Sequence, residues 1–408
     1  MIDSPIGAQR RRHHRIYLVL KLLLAVMLVL FAIVQVYSIT KELVGKNIWF
    51  NDFFGIWSFG KFTAVDHAAN IYDDSMLTSF QMDLGATPTE PLPFAYPPSF
   101  LLLIAPLRFM SYYLAYPVWV ALSGAAYIAA SLYRQGQPSR YRAFLIILAP
   151  ATIVGVTTGQ TGLLSSALIV GGFRLANSRP VLSGVVLGLA SFKPQFGLLV
   201  PIALISAGQW RTLVAAGVTV VVLVLLSSVA FGWSIWPTWL AKLPAHAAWV
   251  AAVQDRFQPT ILANLTSLGI DRAVAWAVQA GVAALVASMT WVCFRRGVTT
   301  GAMAALYAGT FLTTPYAFPY DTPMLTNAAL AAPSPRCQVI GILTITETAA
   351  RVLVLMLPVI VMTSYRLSMI RCFPIIVLFC FNVWRALDSR GGNRATRLTS
   401  DERAAPAS

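Results

Sequence analysis

Long apolar runs separated by short basic, Pro-rich or Gly-rich breaks set the pattern of this chain. A helix that crosses a bilayer needs about 20 mostly apolar residues. Ile16 to Ile39 meets that length, interrupted by Lys21, which lies near enough to the end to snorkel. Further runs extend over 113–133, 143–156, 162–175, 211–231, 273–294, 300–314, 339–361 and 373–384. Between Pro180 and Ser206 two shorter pieces are split by Phe192-Lys193-Pro194-Gln195, and another short piece runs from Pro323 to Ala332. Counted as half-length spans, these pieces bring the total to about 10–12 transmembrane helices, with both termini on one side. No fixed-period repeat stands out, which argues against a solenoid and against the duplicated halves of many transporters. The pattern predicts an all-α polytopic membrane protein, a single membrane domain over residues 1–390. Residues 391–408, polar with Arg, Ser and Ala, read as a disordered cytoplasmic tail.

Composition agrees with the pattern. Hydrophobic residues make up 57% of the 408 and charged residues 11%, against about 25% charged in a soluble protein, so polar surface is too scarce for life in water. The net charge of +15 would suggest nucleic acid, but the arginines cluster in the short breaks: Arg10, Arg11, Arg12 and Arg15; Arg134, Arg140 and Arg142; Arg174 and Arg179; Arg295 and Arg296; Arg385, Arg390, Arg394 and Arg397. That is the positive-inside signal, and no basic stripe interleaved with stacking aromatics accompanies it, so no nucleic-acid partner is expected. The basic residues 1–15 are placed in the cytoplasm. Gln35–Tyr37 offers no small-residue cleavage site, so the first span is read as a retained anchor. Cys293, Cys337, Cys372 and Cys380 form no CxxC pair, and His13, His14, His67 and His246 are scattered, which speaks against a disulfide framework or a metal site.

The acids carry the functional information. Seven of 15 fall between Lys41 and Pro93: Glu42, Asp52, Asp66, Asp73, Asp74, Asp83 and Glu90. This long connection, residues 40–95, follows the first span and is expected to be extracytoplasmic, and loops of such length tend to be functional. Within it NDFFGIWSFGKF, Asn51 to Phe62, reads as a helix in the membrane interface with its apolar side towards lipid. Asp52 at its start is either a helix cap or a carboxylate held at the lipid–water boundary. In FAYPPSFLLLIAPL, Pro97 or Pro98 starts a helix too short to cross, whose N-terminus favours a phosphate nearby; Tyr96 is an interfacial belt residue or a ligand contact. Gln160 lies at a tight outer turn in TTGQTGLL, Lys193 between the two half-length pieces, Asp321 at a Pro-rich break in TPYAFPYDTP, and Glu347 within a later span. Ionisable groups at such depths are costly and often functional; the alternatives are snorkelling for Lys193, turn capping for Asp321 and a buried hydrogen bond for Glu347. Residues 232–258, with Trp233, Trp236, Trp239, Trp249, Pro237, Pro244 and His246, read as a loop on the outer interface.

These blocks together resemble glycosyltransferase family 87: NDFFGIW, IYDD, FAYPPSFLLLIAPL, TTGQTGLL, SGVVLGLASFKPQFGLLVPIAL with Trp210 following, and TPYAFPYDTPML. They span roughly residues 45 to 330, and nothing beyond Pro333 contributes. The resemblance implies a polytopic GT-C enzyme of a family that includes polyprenyl-phosphate-mannose-dependent mannosyltransferases. It implies inverting transfer, on the outer face, from a polyprenyl-phosphate sugar donor to a lipid or glycan hydroxyl, with Asp52 in the position of the general base. Lys193 is then the candidate for the charge developing on the leaving phosphate, and Asp73, Tyr96, Gln160 and Asp321 for holding sugar hydroxyls or phosphate. Mannose is the expected sugar, with a pentose such as arabinose left open. No cofactor and no metal are expected, since apart from Asp73-Asp74 the chain lacks a DxD-type cluster. A bacterial inner membrane suits the anchor. Two other readings remain: a secondary transporter or lipid flippase built on broken helices, which would depend chiefly on Glu347, and a non-catalytic membrane partner, which would have no need of Asp52.

Overall fold

The computed structural model describes residues 25–35, 37, 52–64, 68–85, 92–133, 140–253, 257–331, 341–363 and 371–388. The basic N-terminus, the first part of the expected first span and the C-terminal tail lie outside the described residues. Among the described residues every regular element is a helix, as an environment without water to satisfy backbone groups requires.

The first helix, α1 (Ala25–Gln35), sets Leu28 against Leu145 and Met356. The acidic connection folds into α2 (Phe53–Phe62) and α3 (Asp74–Asp83). The Tyr-Pro-Pro block leads into α4 (Ser99–Ile104), which tightens into a 3₁₀ turn over Ala105–Phe109 around Pro106. Then follow α5 (Tyr112–Leu132), α6 (Arg140–Leu148) and α7 (Pro150–Thr158), the last two forming a pair bent by 44°. The bend falls where Pro150 can take no part in the ladder of the preceding helix. Next come α8 (Gly162–Leu175), α9 (Pro180–Leu189), α10 (Leu199–Ser206), α11 (Trp210–Phe231) and α12 (Ile235–Val253). The chain continues through α13 (Ile261–Ser267), α14 (Arg272–Phe294), α15 (Thr300–Thr313), α16 (Pro323–Ala329), α17 (Gly341–Leu355), α18 (Leu357–Thr363) and α19 (Phe373–Asp388).

By length and composition, α5, α11 and α14 can each cross a membrane alone, and the α6–α7 pair makes a fourth span if read as one. The other apolar runs are divided into shorter helices, as at Lys193 between the pieces Pro180–Phe192 and Pro194–Ser206. The lipid-facing character of α11 is plain from its exposed Val214, Val218, Val221, Leu225 and Val229.

Two expectations from hydropathy are corrected. The aromatic helix α2 does not lie on lipid: Phe53, Phe54, Ile56, Trp57, Phe59 and Phe62 are all buried, with Phe53 against Tyr116 and Trp119 of α5 and Phe59 against Phe94. Rings on every side of a helix signal a core element rather than an amphipathic one. The Trp- and Pro-rich stretch read as a loop is helical as α12. Pro237 sits in its first turn, where the missing N–H would lack an intrahelical partner anyway, and Pro244 is accommodated inside.

Two packed regions account for most of the buried apolar residues. One joins α2, α4 and α5 with Tyr72, Phe94, Phe192 and Ile235. The other joins buried residues of α8–α10 with α13–α19. Helix α9 docks on α11 through Gly184 and Gly188, where a Cβ would come within 2.4 Å of Thr212 O and 2.8 Å of Ala216 O respectively. Glycines four apart allow the close backbone approach that replaces the hydrophobic effect inside lipid. That contact fixes the end of α9, and with it Lys193.

Candidate functional site

A cavity of about 420 Å³ lies beside the first packed region, with Ile56, Phe59 and Phe192 in its lining, a size suited to a sugar-sized ligand. Its polar lining comes from sequence-distant segments: Asp52 before α2, Tyr96 before α4, Gln160 between α7 and α8, Lys193 at the break after α9, and Asp321 before α16. Tyr316 and Tyr320, and Trp239, His246 and Trp249 of α12, complete the polar and aromatic wall.

Each position has a local cause. Asp52 occupies the cap position of α2, yet its side chain makes no capping hydrogen bond, so the cap role does not account for its carboxylate. Gln160 is held by the glycines around it. Gly159 ends α7 in a left-handed conformation (φ +63°), and a Cβ there would lie 2.6 Å from Phe53 Cβ. At Gly162 a Cβ would lie 1.7 Å from Tyr320 O. The Gly-Gln-Thr-Gly turn is thus clamped between the start of α2 and the segment that carries Asp321. Tyr96 donates its hydroxyl proton to Gln160 Oε1 at 3.3 Å and lies 3.2 Å from Thr161 Oγ1. Its ring packs on Phe100 with centroids 4.3 Å apart.

Lys193 and Asp321, 128 residues apart, form a buried ion pair with Nζ–Oδ1 2.5 Å. Asp321 Oδ2 also accepts the backbone N–H of Phe318 at 3.1 Å, and Lys193 Nζ sits 5.2 Å from the Tyr320 ring centre. A buried pair with further hydrogen bonds is the arrangement in which two charges survive desolvation. Burial first, and after it the carboxylates of Asp321 and Asp52, push the Tyr96 and Tyr320 hydroxyls upward, outweighing the hydrogen bond of Thr161 to Tyr96. Both phenols are therefore neutral donors at physiological pH.

Asp73 is placed elsewhere. It caps α3, accepting from the backbone N–H of Ser75 at 2.9 Å and of Met76 at 3.2 Å and from the Ser75 hydroxyl at 2.6 Å, and it does not line the cavity. The adjacent Asp74 pairs with Lys242 of α12 at 2.5 Å. Glu347 also lies outside the cavity. Arg351 donates to its Oε1 from Nε at 3.0 Å and from a terminal nitrogen at 2.7 Å, while Arg385 reaches the same oxygen. Arg351 further donates to Ala329 O and Ala331 O, both at 2.6 Å. This carboxylate ties α17 to α19 and to the end of α16, which is a structural use and leaves the transporter reading without its principal acid.

Trp239, His246 and Trp249, expected in an interfacial loop, instead reach the cavity from α12. Their signal, with Leu243 and Val250 at helical spacing, is masked in the sequence by the two prolines. Tyr316 and Tyr320 belong to the TPYAFPYDTPML block, in which no local pattern marks them as lining residues.

Comparison with known proteins gives one result. The model of glycosyltransferase family 87 matches residues 94–318, just over half of the chain; Tyr96, Gln160 and Lys193 fall within the match, Asp52 and Asp321 outside it. No curated protein and no solved structure matches the chain.

Proposed function

The chain belongs to glycosyltransferase family 87, and from that premise we propose that it moves a sugar, mannose in the first instance, from a polyprenyl-phosphate donor to a hydroxyl of a lipid or glycan acceptor. Membership makes it a membrane glycosyltransferase with a sugar donor and an acceptor. The lipid-linked donor, the inverting course, the extracytoplasmic face and a bacterial inner membrane are part of the proposal. The observation that carries it is the convergence of Asp52, Tyr96, Gln160, Lys193 and Asp321 on one cavity from five separate segments.

In this reading the Asp52 carboxylate takes the proton from the acceptor hydroxyl as its oxygen attacks the anomeric carbon. The bond from that carbon to the phosphate oxygen breaks, and polyprenyl phosphate leaves as a stable anion. A positioned base contributes about 10²- to 10⁴-fold in rate. Lys193, held in place by Asp321, faces the charge that grows on the leaving oxygen, and a preorganised cation needs no rearrangement at that moment. The neutral phenol of Tyr96 and the amide of Gln160 supply donors and acceptors for sugar hydroxyls. The apolar lining from Ile56, Leu92, Leu243, Val250 and Met362 suits the start of a lipid chain.

The test is transfer of radiolabel from polyprenyl-phosphate-mannose to extracted lipid or glycan by membranes containing wild type or Asp52→Asn. Transfer in wild type, and at least a hundredfold less in an Asp52→Asn protein of equal abundance, is the expected result. Equal transfer by both would remove Asp52 as the base. Absence of transfer by wild type, followed by transfer from another lipid-linked sugar, would correct the donor.

A further inference from the structure

Helix α12 presents one face to the cavity, with Trp239, Leu243, His246, Trp249 and Val250 at helical spacing. Trp233, ahead of the helix, and Leu240, on another side of it, are exposed; Trp233 is the kind of residue that anchors at an interface. His246 and Trp249 are placed differently. Their rings stack with centroids 5.8 Å apart and planes inclined by 28°, and both residues line the cavity. Neither imidazole nitrogen has a hydrogen-bond partner among the described residues. Nδ1 is fully buried, so Nε2 is the nitrogen left to meet a ligand in the cavity that His246 lines. Burial, and then the nearby Lys242, hold the imidazole below its ordinary pKa against the opposing pull of Asp74. The ring is neutral at pH 7, and its nitrogen can pair with a hydroxyl in either sense.

The helix is fixed where this surface lies. The Trp239 indole N–H donates to Ala95 O at 3.2 Å, beside Tyr96, and Lys242 Nζ pairs with Asp74 of α3 at 2.5 Å. The wall is therefore registered to the polar residues rather than free to slide in the interface. Rigid aromatic rings with one reachable polar atom are suited to a ligand that has an apolar face and a rim of hydroxyls.

We propose that His246 and Trp249 form a pyranose-binding wall: the C–H face of a sugar ring packs against the Trp249 indole, which the stacked imidazole braces, and a ring hydroxyl pairs with His246 Nε2. The proposal rests on the transferase reading above. The sugar is either the donor's or a glycan acceptor's, and kinetics separates the two.

The full chain in membranes is assayed with radiolabelled polyprenyl-phosphate-mannose as donor and octyl α-mannoside as acceptor, for wild type, Trp249→Leu, Trp249→Phe and His246→Phe. Trp249→Leu is expected to raise one KM about tenfold with kcat within about twofold, Trp249→Phe to restore most of the loss, and His246→Phe to raise the same KM about fivefold through one lost hydrogen bond. A rise in the acceptor KM assigns the wall to the acceptor sugar, and a rise in the donor KM assigns it to the donor sugar. If neither KM moves by more than twofold in variants that express and melt like wild type, the wall binds no sugar and the proposal falls. His246→Phe carries the test if Trp249→Leu does not fold. Should wild type transfer no label, the mannosyl donor or this acceptor is at fault, a separate failure from that of the wall. The wall is then judged by binding of radiolabelled octyl α-mannoside to the purified chain: loss in Trp249→Leu or His246→Phe supports it, and binding that is absent or unchanged overturns it.

Discussion

The turn that carries Gln160 makes a quantitative prediction at Gly162. An alanine there would place its Cβ 1.7 Å from Tyr320 O, 2.5 Å from Tyr320 C and 3.1 Å from Asp321 Cα. Ordinary contact begins at 3.4 Å, so the two backbones must separate by about 1.7 Å, the difference between those distances. The neighbour is backbone, not the end of a flexible side chain, and cannot yield by a rotamer change. Less than half of that movement, if it falls on Asp321, carries the 2.5 Å contact with Lys193 past the hydrogen-bond limit of about 3.2 Å. Misplacing a site by about 1 Å costs about 10²-fold in rate, and overpacking a filled site costs about 1–3 kcal/mol. Gly162→Ala should therefore lose about a hundredfold in kcat/KM for sugar transfer and melt at lower temperature in detergent. Gly217→Ala on α11, where a Cβ meets nothing within 4 Å, serves as the control and should keep both. Wild-type transfer and an unchanged melting temperature in Gly162→Ala would refute the claim that this close approach positions Asp321.

Two further outcomes follow from the charges. Asp321→Leu leaves the buried ammonium of Lys193 without its carboxylate and should cost about 3–5 kcal/mol; the double variant Lys193→Met/Asp321→Leu should recover much of that stability in denaturant titrations while transfer stays lost, and a double variant no more stable than Asp321→Leu would contradict it. At Asp73 the Ser75 hydroxyl, with the backbone N–H groups of Met76 and Ser75, holds the carboxyl below the usual range. Its folded pKa is depressed, so its stabilisation is present above the unfolded value of about 3.9 and is lost as pH falls through the folded pKa. The stability gap between wild type and Asp73→Ala, read from thermal melts across pH, should thus be constant near neutrality and close in acid.

The helices were legible because apolar runs in a bilayer have few alternatives: 162–175 is reproduced as α8, and the break at Lys193 is where the mixed Phe-Lys-Pro-Gln segment placed it. Of the site, the individual polar residues could be read from their cost inside apolar surroundings. Their association could not, since the Lys193–Asp321 pair joins positions 128 residues apart and no local pattern encodes that. Asp73 and Asp52 show the limit from the other side. Both precede helices, yet one caps and the other does not, a distinction that follows their backbones: Asp73 is extended (φ −85°, ψ 109°) as a cap requires, whereas Asp52 is already helical (φ −56°, ψ −22°). At α12 the prolines and tryptophans suggested an interfacial loop, because composition records what a residue tolerates and not which face of a helix it occupies.

The family match stops at residue 318, but the molecule does not come apart there. Asp321 and Met362 line the cavity. A Cβ on Gly301 would lie 2.9 Å from Ala386 N, so α15 and α19 touch backbone to backbone, and Asn382 donates to Ala304 O. Glu347 binds Arg351 and Arg385 in the same region. The stretch that relatives share is therefore not a portable module. A chimera that exchanged residues 94–318 between two members would carry over a cavity without Asp52 and its α2 side and without Asp321 and Met362, and would have to bring α2 and α16–α19 with it to remain whole.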